Sequence, residues 1–429
     1  MTMKLVPVPE GLQTAAFLLD RGALQGIPEL LQTFFPGKAP WIVADSNTWN
    51  AAGEAVSRRL QDAGFSQLVP CIFPGTPQLH PEMEKAQFLA ENMPENCVPL
   101  AVGSGVINDL VKCACGIRNV RYCCVATACS VDGYTASGSC MRVNGSKKTI
   151  PCPAPYAVCA DVDVLEKAPA EMFAAGYADL LAKATGGVDW QIADALGMEP
   201  IRQDVWDLVQ KDLRDRVADP GNMGPVFGGL AASGYAMQMY HDSRPASGCE
   251  HLFSHVWEME ELQLNGKEVS HGFKVGVGTL IATLLFEYVA EHSFEELLPR
   301  MTPPLTLEER KQEIADLTAR GCYGTVAEEN ALKKYLTPAE TLRRRETIRQ
   351  QWQGIQQRIR KQMIPFEELR RMLKHAGCPV SPAEIGLEKA QYLHVVPTAQ
   401  LIRVRYTVLD LLYECGLLAD ACKKLTVLL

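Results

Sequence analysis

The sequence is short of positive charge, of histidine and of aromatic side chains. Lys and Arg number 42 against 50 Asp and Glu, giving a formal charge of −8 and a pI near 5.6. That balance excludes a general nucleic-acid binder. No apolar core follows Lys4 in MTMKLVPVPEG, so no signal peptide is expected and the protein is placed in the cytoplasm. The most apolar later stretch, VGVGTLIATLLF at 275–286, is closed by Glu287 and is too short to cross a bilayer, so it is expected to be a buried helix and no membrane span is predicted. No internal repeat and no low-complexity tract is visible. Cysteine is not scarce: there are fifteen, but CAC (113–115) and CC (123–124) have no partner pair at zinc-finger spacing. They read as free thiols packing as small hydrophobes in a reducing compartment.

What is present is a βαβα rhythm over the first 160 or so residues. WIVAD (41–45), QLVPCIF (67–73), CVPLAVG (97–103) and YCCVATA (122–128) read as strands. Segments 47–64, 82–92 and 106–115 between them read as helices. Alternation of this kind predicts a parallel sheet covered on both faces. From about residue 165 long amphipathic patterns take over. The chain is therefore expected to hold a Rossmann-like α/β nucleotide-binding domain over 1–165 and an all-helical domain with an extended tail over 166–429. One stretch of that tail, 341–375, carries ten Arg and Lys against three Glu. Its aromatics, Trp352 and Phe366, form no stacking platform, so a solvated helical face is expected there rather than a nucleic-acid patch.

Three patterns carry chemistry. The strand CVPLAVG runs directly into Gly103-Ser104-Gly105, and a tight glycine turn from strand to helix aims backbone N–H groups at a phosphate. A GxG alone is weak, because the third glycine of the dinucleotide fingerprint is missing. The segment VATACSVDGYTASGS (125–139) sets Asp132 and Tyr134 among small and hydroxylic residues, as a backbone that closely approaches a ligand requires. Finally, three of the eight histidines, His251, His255 and His271, fall within 21 residues, preceded by Asp179 in a small-residue context. Ser247 and Glu250 have capping-box spacing, which would put His251 in a first helical turn, and Ser270 would start another helix at His271. An Asp with two His suits zinc, iron, nickel or cobalt and leaves coordination positions open. Spacing alone does not establish that the three meet.

Together, GSGVIND (103–109), SVDGYTASGS (130–139), GYADLLAKATGGVDW (176–190), SGCEHLFSH (247–255) and HGFKVGVGT (271–279) resemble, in order and spacing, the sn-glycerol-1-phosphate dehydrogenase family. That family lies within the superfamily of iron-containing alcohol dehydrogenases, glycerol dehydrogenase and dehydroquinate synthase. The likeness covers about 40–290 and continues more faintly to RVRYTVLDLLYECGLL (403–418), which resembles the family's C-terminal helix.

The resemblance implies a dehydroquinate synthase-like fold, NAD or NADP as cofactor, and one divalent metal (zinc, nickel or iron). It places the metal ligands on Asp179, His251 and His271. It places the cofactor-binding turn on Gly103, Ser104, Gly105 and Asp109, with Thr127, Ser130 and Asp132 lining the nicotinamide and substrate. Asp45, at the end of the first predicted strand, is a candidate for the adenosine ribose. Lys148 in NGSKKT, beside Lys147, is the candidate partner of a substrate phosphate. His255, one helical turn from His251, is a candidate proton relay or orienting residue. Phe273 and Lys274 stand where relatives often carry Glu-Gln and are close enough to His271 to bear on substrate preference. The implied reaction interconverts dihydroxyacetone phosphate and sn-glycerol 1-phosphate, a step of phospholipid metabolism, in a homo-oligomer of two or more chains acting on a phosphorylated triose or polyol. Glycerol dehydrogenase is the nearest rival. A catalytically silent nucleotide-binding regulator is the alternative of another class. Dehydroquinate synthase fits less well, because the first metal ligand there is a Glu.

Overall fold

Parallel strands cannot be joined by hairpins, and the helical patterns between the predicted strands supply the crossovers they need. The computed structural model describes residues 3–66, 68–143 and 146–428. They form two units: Met1–Leu180 with Arg214–Asp242, and Leu181–Leu213 with Ser243–Leu429.

The first unit contains β1 (Ala16–Asp20), β2 (Ala39–Asp45), β3 (Cys71–Phe73), β4 (Cys97–Gly103), β5 (Cys123–Ala126), β6 (Ser139–Val143), β7 (Ser146–Ile150) and β8 (Ala157–Asp161). Six of them make one sheet in the order β1-β8-β5-β4-β2-β3, every pair parallel. Every residue of β4 is buried, as expected of a central strand covered on both faces. Ile27, Leu30 and Leu31 of one helix and Val56 and Leu60 of another pack with Ile42, Leu100, Val102 and Val125 of the sheet.

From β2 the chain moves outward to β3, then returns to lay β4 on the other side of β2 and proceeds to β5. The β2/β4 boundary is therefore the point where the winding reverses, and ligands of such sheets bind at the carboxyl ends of the strands there. Asp45 ends β2 and Gly103 ends β4.

The expected parallel sheet is present, with differences. Two strands, AFLLD in β1 and AVCAD in β8, were not foreseen, because short apolar runs, three residues buried in the first and all five in the second, carry no alternation to mark them. The strand expected over 67–73 is confined to Cys71–Phe73, after Pro70, which has no N–H to give a ladder; Gln67 lies outside the described residues.

The second unit is helical apart from a two-residue pair, Gln263–Leu264 with Lys267–Glu268. At its centre is the helix His271–Glu291, longer than the 275–286 stretch suggested. Its length and apolarity would suffice to cross a membrane, yet 89% of its most apolar window is buried inside the fold, which makes it a core helix. The basic 341–375 stretch forms the helices Pro338–Gln362 and Phe366–His375. Several of its cations are spent on this unit rather than on solvent: Arg358 pairs with Asp194 at 2.6 Å and Arg345 donates to the carbonyl of Glu414 at 2.7 Å. All fifteen cysteines lie among the described residues, and none is in a disulfide.

Candidate active site

In the first unit, the turn after β4 is shaped by its glycines. A Cβ on Gly103 would lie 2.5 Å from the Ile107 Cβ, so only glycine lets the strand pass into the helix Gly105–Arg118 this tightly. Ser104 is the N-cap in extended conformation, but its hydroxyl makes no cap bond. The first-turn N–H groups are thus not satisfied by a side-chain cap, the condition for receiving an anion. Asp109, in the second turn, lies 3.7 Å from Lys112, and burial pushes its carboxyl up to about 6 against the pull of that lysine.

The segment 127–139 follows β5 and is held from several sides. Lys112, fully buried, donates to the carbonyls of Gly133 (2.9 Å) and Gly138 (3.0 Å). Asn108 donates to the Gly133 carbonyl as well, and receives the Tyr122 hydroxyl on its own oxygen. The Tyr134 hydroxyl donates to the Ala128 carbonyl at 2.6 Å, and Ser130 Oγ lies 3.3 Å from the Tyr134 hydroxyl. The helices Ala170–Leu181 and Met223–Tyr240 close on this segment at two glycines. A Cβ on Gly176 would sit 2.2 Å from the Cys129 carbonyl oxygen, and one on Gly234 would sit 2.0 Å from Thr135 Oγ1. Small residues are therefore needed on the helices as much as on the loop. Asp132 is set by this packing: its amide donates to Asp179 Oδ2 at 3.0 Å, and its carboxylate accepts from the Ser233 hydroxyl at 3.1 Å. Thr127 and Ser130 are buried in the same segment. Asp45 accepts the Thr48 amide at 2.8 Å and so starts the turn after β2. Lys148 is exposed on β7, opposite Met141 of β6.

In the second unit the helices Cys249–Met259 and His271–Glu291 cross closely, because a Cβ on Gly278 would lie 2.5 Å from the Glu250 carbonyl oxygen. The crossing brings the His251 and His271 rings to 5.5 Å between centroids, with His255 at 6.5 and 6.2 Å from them. His251 Nδ1 lies 2.8 Å from Glu250 Oε1, and His271 Nδ1 lies 2.9 Å from Glu258 Oε1. A carboxylate on Nδ1 holds the proton there and leaves the lone pair on Nε2, the arrangement typical of metal-binding imidazoles. Glu258 also lies 3.2 Å from His255 Nδ1 and 3.3 Å from Lys274 Nζ. Burial pushes the His255 imidazole down to about 4, with Glu258 pulling the other way.

Ser270 caps its helix as expected, accepting the Phe273 amide. Ser247 does not: Gly248 is the N-cap, and Glu250 Oε1 accepts the Gly248 amide at 2.6 Å while facing His251. His251 still falls in the first turn. Lys274 is buried against Glu258, so it bears on the His271 environment through that carboxylate. Two residues escaped notice in the sequence. Glu258 continues the 251, 255 helical face at the next turn, a readable signal; Lys112, a lysine in an apolar helix, gave only a faint one.

Known proteins resemble this chain in both sequence and fold. Residues 18–169 match the family described as iron-containing alcohol dehydrogenase. The glycerol-1-phosphate dehydrogenase [NAD(P)+] of Geobacillus thermodenitrificans is 32% identical over 389 residues, covering 88% of this chain and 87% of its own. That of Halalkalibacterium halodurans is 36% identical over 288 residues, covering 65% and 72%. Among solved structures, glycerol dehydrogenase from Schizosaccharomyces pombe aligns with a TM-score of 0.57 at 13% identity, covering 98% of this chain and 92% of its own. Maleylacetate reductase from Agrobacterium tumefaciens gives 0.55 at 15% identity, covering 96% and 98%. At such identities the structural likeness speaks for the fold.

Proposed function

The chain belongs to the glycerol-1-phosphate dehydrogenase family, and from that premise we propose that it reduces dihydroxyacetone phosphate to sn-glycerol 1-phosphate with NADH or NADPH, and runs the reverse oxidation. The observation that carries the metal-dependent part is the pair of imidazoles, each with its Nδ1 on a carboxylate. We assign Asp179, His251 and His271 to one divalent metal, zinc, nickel or iron. An acid and two imidazoles suit any of these. When bound, the metal supplies Lewis-acid polarisation of the substrate's carbonyl and the nicotinamide supplies the hydride.

The protein's own residues hold and orient. Gly103, Ser104 and Gly105 would receive the cofactor pyrophosphate on backbone N–H groups, with Asp109 behind them in the same helix. Asp45, at the reversal of the sheet winding, would take a ribose hydroxyl. Thr127 and Ser130 would line the nicotinamide. Asp132, kept in place by Ser233, would accept hydroxyls of substrate and ribose. In the oxidation direction, His255 would take the substrate proton on Nε2, because Glu258 holds Nδ1, and would return it in reduction. Lys148 would meet the substrate phosphate, as an exposed cation on a hairpin can.

The test is steady-state absorbance of NADH and NADPH with dihydroxyacetone phosphate, run beside glycerol with NAD. Oxidation of the reduced cofactor by the phosphate ester, with chirally pure product, is expected. Turnover of glycerol at comparable kcat/KM would move the protein to the glycerol dehydrogenases.

A further inference from the structure

The helical unit holds a cavity of about 860 Å³, open to solvent on one side and built almost wholly from the chain after residue 300. None of the residues assigned to metal, cofactor or substrate lines it. Small-molecule sites usually measure roughly 300–1,000 Å³ and combine apolar walls with a few convergent polar groups. Here Pro303, Leu305, Leu336, Leu393, Val404 and Leu418 supply apolar wall.

The polar groups are weighted to one sign. Six cationic side chains, Arg310, Lys333, Lys334, Arg344, Arg345 and Lys423, line the cavity against four acids, Glu199, Glu313, Asp410 and Glu414. Lys333 and Lys423 are exposed at its rim, Lys423 paired with Asp420 at 2.8 Å, and Arg344 lies 3.5 Å from Glu414. Arg310 is buried and rigidly set: it lies 2.6 Å from Glu313, 2.7 Å from Gln400 Oε1 and 4.3 Å over the Tyr413 ring. Lys334 is fixed by Asp410 at 2.7 Å. Arg345 donates to the backbone carbonyls of Glu414 and Thr302, neutral partners that leave its charge uncompensated. Burial raises the Glu414 carboxyl to about 7, which trims the acidic side further at neutral pH. Cations already fixed by packing cost little to organise around an anion.

We propose that this cavity is a binding site for a small amphipathic anion: a molecule with an aliphatic or aromatic body of roughly ten carbons and one carboxylate, sulfonate or phosphate group. The apolar walls take the body, and Arg345, held by backbone carbonyls alone, takes the head. A neutral apolar ligand would leave the Arg345 charge facing hydrocarbon, and a cation would add to the repulsion.

The probe is 8-anilinonaphthalene-1-sulfonate, titrated by fluorescence into the full-length protein held at saturating NADH. Saturable one-to-one binding is expected, displaced by decanoate and not by decylammonium. Leu393→Trp, which fills the cavity, should weaken binding at least tenfold. Arg345→Met, which removes the cation that has no acidic partner, should weaken the sulfonate at least threefold and leave neutral 1-naphthol unchanged. Thermal melts identify a variant that does not fold, and the remaining one then decides. Absence of saturable binding, equal competition by decylammonium, or indifference to a folded variant would each overturn the proposal.

Discussion

Gly278→Ala puts the packing behind the two imidazoles to a direct test. The new Cβ would start 2.5 Å from the Glu250 carbonyl oxygen, against 3.4 Å for ordinary contact, so the two helices must part by about 0.9 Å. The obstacle is backbone, which cannot rotate aside. Overpacking of this kind costs about 1–3 kcal/mol, and alanine's better helix propensity returns about 1 kcal/mol. The net loss is about 0–2 kcal/mol, a fall of about 2–4 °C in Tm per kcal/mol for a unit of this size. The larger effect should be on the metal. His251 and His271 ride on the two parting helices, and a site holds its geometry only within about 0.5 Å. Metal affinity, read by competition with a chromogenic chelator, should fall at least tenfold. The variant melting like the parent and binding metal equally well would refute the close crossing as the device that pairs the histidines.

Three further outcomes are expected. Glu258→Gln removes the carboxylate that lies on His271 Nδ1, His255 Nδ1 and Lys274, and should weaken metal binding by about 10–100-fold in the same competition assay. Lys112→Met strips the donors from the Gly133 and Gly138 carbonyls and should cost about 3 kcal/mol in chemical denaturation, with a raised KM for the cofactor because the 127–139 segment loosens. Glu414, raised by burial to about 7, lends stability that is complete below its ordinary value and is lost as pH rises through 7. Glu414→Gln should therefore flatten the decline in Tm between pH 6 and 8, a term of at most about 2–3 kcal/mol.

Much of the first unit was legible because parallel strands buried on both faces are short apolar runs separated by helical periodicity. WIVAD and CVPLAVG stand out for that reason. AFLLD and AVCAD did not, since a run of five apolar-rich residues can belong to either helix or strand. The His271 helix start was readable because Ser270 caps locally, within three residues. Ser247 failed as a cap because Gly248 takes the position and Glu250 is drawn to the Gly248 amide and to His251. That competition is set by tertiary placement, which spacing cannot show. The cavity was invisible for a related reason: it joins Met198 to segments that lie a hundred and two hundred residues further on.

The central claim is that Asp179, His251 and His271 hold one metal on which turnover depends. The most direct measurement is metal content and dihydroxyacetone phosphate reduction followed together. The protein is stripped of metal, then titrated with zinc, nickel or iron, alongside Asp179→Ala and His271→Ala. Activity should return in proportion to metal and saturate at one equivalent per chain, while both variants neither retain metal nor turn over. Full activity in the stripped protein, or a variant that keeps both metal and turnover, would contradict it.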